Sequence, residues 1–300
     1  MVGLRCPTFI FNYNNNMTRQ NITESDEREV LMMQMERIEN ELFIDPNEEI
    51  QHPPVSLSFG EHTMGGIVYP TPISTYGNLV FIQAPPKSTK TFFVSLLSAA
   101  YLGGNSKGYT KGINGHRDER CLIHFDTEQG RFHAQRVFKR VLRMTGLSNE
   151  CYHTYGLRGL DHDKRLDFID YCLSRRVDRP GLVVIDGVAD LVSDVNNIDE
   201  SNKIIQKLMA WSLEYNCTIL TVIHSNHGTD KATGHLGSAL YKKCETAIQL
   251  KPNFDEGYIE VRCKEARNYP FDTFSYKIDD YGLPSVIDTD LVNFDTKKFE

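Results

Sequence analysis

The chain has 300 residues, 40% of them hydrophobic and 24% charged, with a formal net charge of −7. That composition supplies one substantial core plus an extension, and it excludes a protein coated in basic surface without excluding a local basic groove. No apolar run approaches the roughly 20 residues of a membrane span, no basic-then-apolar leader opens the chain, and the seven cysteines form no Cys-x-x-Cys pair, so a cytoplasmic protein with reduced, mainly buried thiols is expected.

Residues 1–23 are rich in Asn and Thr without a period and predict a flexible leader. The Asn-x-Thr matches at Asn16, Asn21 and Asn216 are read as chance. Between 24 and 43, Leu31, Met35, Ile38 and Leu42 recur at spacings of four and three among charges, which predicts an amphipathic helix. Such a helix either packs on its own domain or serves as an arm on a neighbouring subunit. Pro46, Pro53, Pro54, Pro70 and Pro72, with several glycines, then predict a linker and a small hairpin over 44–77.

Residues 78–104 read NLVFIQAPPKSTKTFFVSLLSAAYLGG: an apolar run, eight loop residues and a second apolar segment long enough for a buried helix. The loop, APPKSTKT, has the spacing of a phosphate-binding loop of the Walker A kind. Ala84 and Thr89 stand where the usual pattern has glycines, while Lys90 and Thr91 keep the lysine and hydroxyl places. Backbone amides hold phosphate oxygens whatever the side chains are, but only a cation bridges the outer phosphates and only a hydroxyl joins a Mg²⁺ shell. The candidate nucleotide loop is therefore Ala84, Pro85, Pro86, Lys87, Ser88, Thr89, Lys90, Thr91 and Phe92. The missing glycines raise a steric question, because alanine and threonine resist backbone angles that glycine adopts freely. A plain strand-to-helix turn that happens to contain lysine and threonine is the competing reading.

A glycine-rich polar loop with Lys107, Lys111, Arg117 and Arg120 follows over 103–120. The run CLIHFDTEQG then predicts a strand ending in Asp126, Thr127 and Glu128. A carboxylate just past the carboxyl end of a parallel strand lies where open α/β sheets bind ligands, which makes Glu128 a candidate base for an attacking water; a helix-start glutamate is the alternative. The next helix carries Arg131, Arg136, Lys139, Arg140 and Arg143, read mostly as a solvated face. A strand over 151–158 and a helix over 161–176 precede GLVVIDGVADLV, where four apolar residues lead directly to Asp186. A fully buried strand delivering one carboxylate to Mg²⁺ at its carboxyl end has this form.

A helix over 199–215 and a buried strand over 217–228 come next, the strand ending in His224, Ser225, Asn226 and His227, polar groups able to sense a γ-phosphate. His224 and His227 are spaced like helical metal ligands, but at a strand end without a cysteine partner they are not read as a zinc site. After a glycine-broken loop, three strand-like segments close the chain, at 246–251, 257–267 and 271–279.

Taken in order, APPKSTKTF, HFDTEQ, LVVIDG, TVIHSNHG and CKEARNYPFDTFSYKID resemble the RecA-like P-loop ATPases, most closely the RepA-type and DnaB-type hexameric helicases and the AAA-type ATPases of bacterial mobile elements and phages. The resemblance implies an α/β core with a mainly parallel twisted sheet flanked by helices over 65–285, a helical extension and linker over 24–64 and a tail over 286–300. It implies ATP and Mg²⁺, with Lys90 on the phosphates, Thr91 and Asp186 on the metal, Glu128 as catalytic glutamate and His224 and Asn226 as sensors. Lys264 and Arg267 resemble the basic pair that reaches into the next subunit's nucleotide, which implies a homo-oligomer, a ring or hexamer. The loop over 228–238 matches the family's DNA loop, yet its only cationic side chains are Lys231 and His235; single-stranded or duplex DNA is implied by the family more than by these residues. A slow nucleotide-dependent switch acting on a protein partner is the second reading.

Overall fold

The structure is a computed structural model that describes residues 24–85, 89–225 and 232–287. It divides into two compact units, Met1–His52 and Pro53–Glu300. In the first unit the predicted helix is α1 (Glu24–Leu42). Leu31, Met35 and Leu42 of its apolar stripe are all exposed.

The second unit is built on a nine-stranded sheet of order β12-β11-β10-β9-β3-β8-β7-β5-β6. Six strands run parallel: β3 (Leu79–Ala84), β5 (Cys121–Asp126), β6 (Tyr152–Gly156), β7 (Pro180–Asp186), β8 (Thr218–His224) and β9 (Thr246–Asn253). Antiparallel β10 (Tyr258–Ala266), β11 (Phe274–Ile278) and β12 (Pro284–Ile287) extend one side. The continuous apolar runs read from the sequence belong to strands covered on both faces; every residue of β3 and β7 is buried. On one face, Val80, Ile82, Leu122 and Val184 pack with α2 (Lys90–Leu102) and with Val141 and Met144 of α4 (Arg131–Thr145). On the other, Phe81, Ile123, Phe125 and Ile185 meet Ile169 of α5 (His162–Tyr171), Leu208 and Trp211 of α6 (Ile198–Glu214) and Leu236 of α7 (Gly234–Lys243). Local signals set the helix starts: the Asp161 side chain accepts from Lys164 N, and that of Asn197 from Asp199 N and Glu200 N.

Several boundaries differ from the sequence expectation. The division at 64/65 falls inside a hairpin, because β1 (Val55–Met64) pairs antiparallel with β2 (Ile67–Thr75) and also with β4 (Ile113–Gly115). Residues 55–64 therefore belong to the larger unit. The expected tail from 286 is also cut, since β12 pairs with β11 as far as Ile287. Its leading Pro284 is tolerated because a first residue on an edge strand has no ladder bond to give. Within 103–120 the chain forms a short α3 (Lys107–Thr110) and β4 rather than a plain loop. Helix α5 ends at Tyr171 and continues as a π-helical turn, Cys172–Arg176. The expected glycine-broken loop over 228–238 overlaps α7, which begins at Gly234 and includes His235, while residues 226–231, Lys231 among them, lie outside the described residues.

Candidate functional site

Because six strands point the same way, their carboxyl ends gather on one edge of the sheet, where open α/β folds leave a crevice. Ala84 pairs with His224, and Asp186 sits between Val222 and Asp126. A cleft of about 270 Å³ opens beside Ala84, Pro85, Ser225 and Lys251 at this edge.

Beyond β3 the chain turns into α2. Ala84 is buried and Pro85 exposed, whereas Pro86, Lys87 and Ser88 lie outside the described residues. Thr89 stands immediately before α2 with φ 65° and ψ 20°, the left-handed region, and its own side chain makes no capping hydrogen bond. The first amides of α2 are thus not capped by the Thr89 side chain, and a helix start of this kind suits an anion. Phe92, in the first turn, packs under the Arg140 guanidinium at 3.8 Å.

Lys90 is only 8% exposed. Its Nζ donates to His224 Nδ1 at 2.8 Å and to Pro85 O at 3.4 Å. Burial pulls its ammonium below the ordinary lysine range, opposed by the charges of Glu128 and Asp186. On the far side of the ring, His224 Nε2 lies 3.4 Å from Glu128 Oε1. With Nδ1 accepting from the ammonium, the ring proton sits on Nε2 and faces the carboxylate. His224 therefore bridges the lysine and the glutamate. That contact, with the Lys90 charge, holds the Glu128 carboxyl below its ordinary range despite partial burial.

Asp186 is the opposite case. It is 6% exposed, and among the described residues its Oδ2 has no partner. Burial, then the charges of Asp126 and Glu128, push its carboxyl up to about 7, against Lys90 and a hydrogen bond from Thr91. Asp126 Oδ1 accepts from Gln129 N at 2.7 Å and Glu128 N at 3.2 Å, but its Oδ2 is likewise without a partner among the described residues. Burial raises this carboxyl too. Thr127 ties the two strand ends, accepting from Gly187 N at 2.8 Å and donating to Asp190 Oδ2 at 2.7 Å.

Orphaned carboxylate oxygens cost free energy unless a proton or a cation meets them. Their hard donor set, with the Thr91 hydroxyl beside it, fits Mg²⁺, which binds through one or two carboxylates and fills its shell with phosphate oxygens and water. Among the described residues no group of three or more His, Cys, Asp or Glu could hold a metal by itself.

The structure thus brings Lys90, Thr91, Glu128, Asp186 and His224 to one sheet edge. Asn226 lies outside the described residues. Lys264 and Arg267 are elsewhere: Ala266 pairs with Thr246, which pairs with Val80 near the amino end of β3, whereas Lys90 follows its carboxyl end. Lys264 Nζ lies 5.4 Å from the Tyr241 ring centre and Arg267 donates to Lys243 O at 2.8 Å. Three further residues shape the site without being singled out by the sequence reading. Asp126 was visible only as a strand-end acid, Thr127 as its neighbour, and Tyr276, which hydrogen-bonds Thr89, gave no local signal at all.

Comparison with known proteins agrees with this architecture. A family model described as an AAA domain matches residues 73–230, just over half of the chain. A solved ATPase domain superposes with a TM-score of 0.50 at 14% identity, covering 70% of this chain and 85% of that one. The RadB recombinase gives 0.47 at 19% identity, covering 71% and 92%. No curated protein matches the chain.

Proposed function

Given that the chain belongs to the AAA domain family and has a RecA-like P-loop fold, we propose that it is a Mg²⁺-dependent ATPase in which water attacks the γ-phosphate. The observation that carries this reading is the meeting of Lys90, Thr91, Asp186, Glu128 and His224 around a carboxylate oxygen that has no partner among the described residues. Thr91 and Asp186 would hold Mg²⁺, which when bound neutralises charge on the phosphate oxygens. Lys90, released from His224, takes the outer phosphates, and the first amides of α2 take others. Glu128, kept ionised, orients the attacking water and receives its proton. His224 touches both of these groups, so engagement of Lys90 by phosphate changes what holds Glu128; this supports the sensor role, with Asn226 as its partner.

Ala266 aligns with the amino-end half of β3 while the site lies at its carboxyl end, which supports a role for Lys264 and Arg267 in a neighbour's site, within a homo-oligomer such as a hexameric ring. Trans-acting cations of this kind contribute about 10³ to 10⁵ in rate. DNA is the proposed polyanionic partner. Helix α4 contains five cations and no acid, and Arg131, Arg136, Lys139 and Arg143 are exposed, which suits phosphates on an otherwise acidic chain. The test is specific ATPase activity measured against protein concentration, with and without single-stranded DNA. Activity per chain should fall on dilution through the assembly range, and DNA should raise it in a salt-sensitive way. A flat activity down to a monomeric sample contradicts the trans role, and indifference to DNA contradicts that partner.

A further inference from the structure

Thr89 occupies the place of the second glycine of the phosphate loop, and it takes up the left-handed backbone conformation that glycine enters freely, with φ 65°. For a β-branched side chain that conformation is strained, so something must hold it there. The hydroxyl of Tyr276 does so. It donates to Thr89 O at 3.2 Å and lies 3.0 Å from Thr89 Oγ1. A phenol can donate to the carbonyl while accepting from the threonine hydroxyl, closing a small ring of two hydrogen bonds.

Tyr276 is well placed to act as a fixed post. It is fully buried on β11 and stacks on Phe93 of α2 with ring centres 5.8 Å apart. Its ring is fixed by core packing, and Thr89 is hydrogen-bonded to its hydroxyl. We propose that Tyr276 is a positioning residue that substitutes for the absent glycine, holding Thr89 left-handed so that Lys90 and the first amides of α2 stay aimed at the phosphates. The inference rests on the nucleotide site proposed above and adds to it how the start of α2 is held without the usual glycine before it.

The ring of Tyr276 also packs the core, so a change that removes only the hydroxyl separates the two roles. The experiment measures binding of a Mg²⁺-bound non-hydrolysable ATP analogue to the full chain and to Y276F, T89G and the double variant T89G/Y276F. Loss of two hydrogen bonds should weaken the Y276F complex about tenfold. T89G should bind at least as well as the wild type. Above all, T89G/Y276F should bind within about threefold of T89G, because glycine adopts the conformation unaided and no longer needs the tyrosine. Y276F binding as tightly as the wild type, or a loss of equal size in the T89G background, overturns the positioning role while leaving the nucleotide site standing. A wild-type chain that does not bind the analogue overturns both.

Discussion

Glu128→Gln lowers the ATPase kcat by about 10² to 10⁴, the range for a positioned general base, while nucleotide binding stays close to that of the wild type. Glutamine keeps the shape and can still meet His224 Nε2, now 3.4 Å from Glu128 Oε1, but it cannot take a proton from water. The local geometry leaves room for this side chain: a Cβ on Gly187 would stand 2.9 Å from Glu128 Oε1. Single-turnover hydrolysis alongside analogue binding separates the two effects. Equal loss of binding and rate would make Glu128 a structural residue, and an unchanged rate would remove it from the chemistry.

Asp186→Asn produces the second large effect, with opposite signs in two assays: Mg²⁺-dependent hydrolysis is lost, and the nucleotide-free protein becomes more stable. The wild-type carboxyl is buried with an unpartnered oxygen and pushed up to about 7. Its folded-state pKa is thus raised above the unfolded value of about 3.9, so between those values the native chain holds a proton that the unfolded chain does not. Stability contributed by that proton is present at low pH and is lost as pH rises through about 7. The amide carries no such charge. The rise from about 3.9 to about 7 sets an upper bound of about 4 kcal/mol on the variant's gain at pH 8, and half of that would raise the melting temperature by roughly 4–8 °C; the gain should vanish towards pH 4. Saturating Mg²⁺ and ATP analogue should reverse the order, since only the wild type is stabilised by them. Melting curves of both proteins at several pH values check this. A variant no more stable than the wild type at pH 8 contradicts an uncompensated charge at Asp186.

These effects also explain what the sequence could and could not disclose. Runs such as LVFIQA and LVVID are legible because a strand covered by helices on both faces must be apolar throughout, and the strand-end carboxylates and the loop lysine stand out against that background. The parallel core and its flanking helices follow from such runs in order. Elements stabilised from a distance were hidden. Pro284–Ile287 is too short to show a period and becomes a strand only by pairing with β11. The small hairpin expected within 44–77 is present as β1 and β2, but nothing local shows that β1 also pairs with β4, nearly sixty residues on, and so belongs to the larger unit. The helix beginning at Gly234 was masked by the glycines and polar residues around it. At the site, the contact from Tyr276 to Thr89 spans 187 positions, and no local pattern encodes it. The charge state of Asp186 depends on Asp126, Glu128 and Lys90 together, which only their packing reveals.

The central claim is that Lys90, Thr91, Asp186 and Glu128 form a single receptor for a magnesium-bound triphosphate. Titration calorimetry of the wild-type chain with a non-hydrolysable ATP analogue tests it most directly. Saturable binding that requires Mg²⁺ and disappears in Lys90→Ala is the predicted result; no heat of binding, or binding indifferent to both Mg²⁺ and Lys90, would contradict the account.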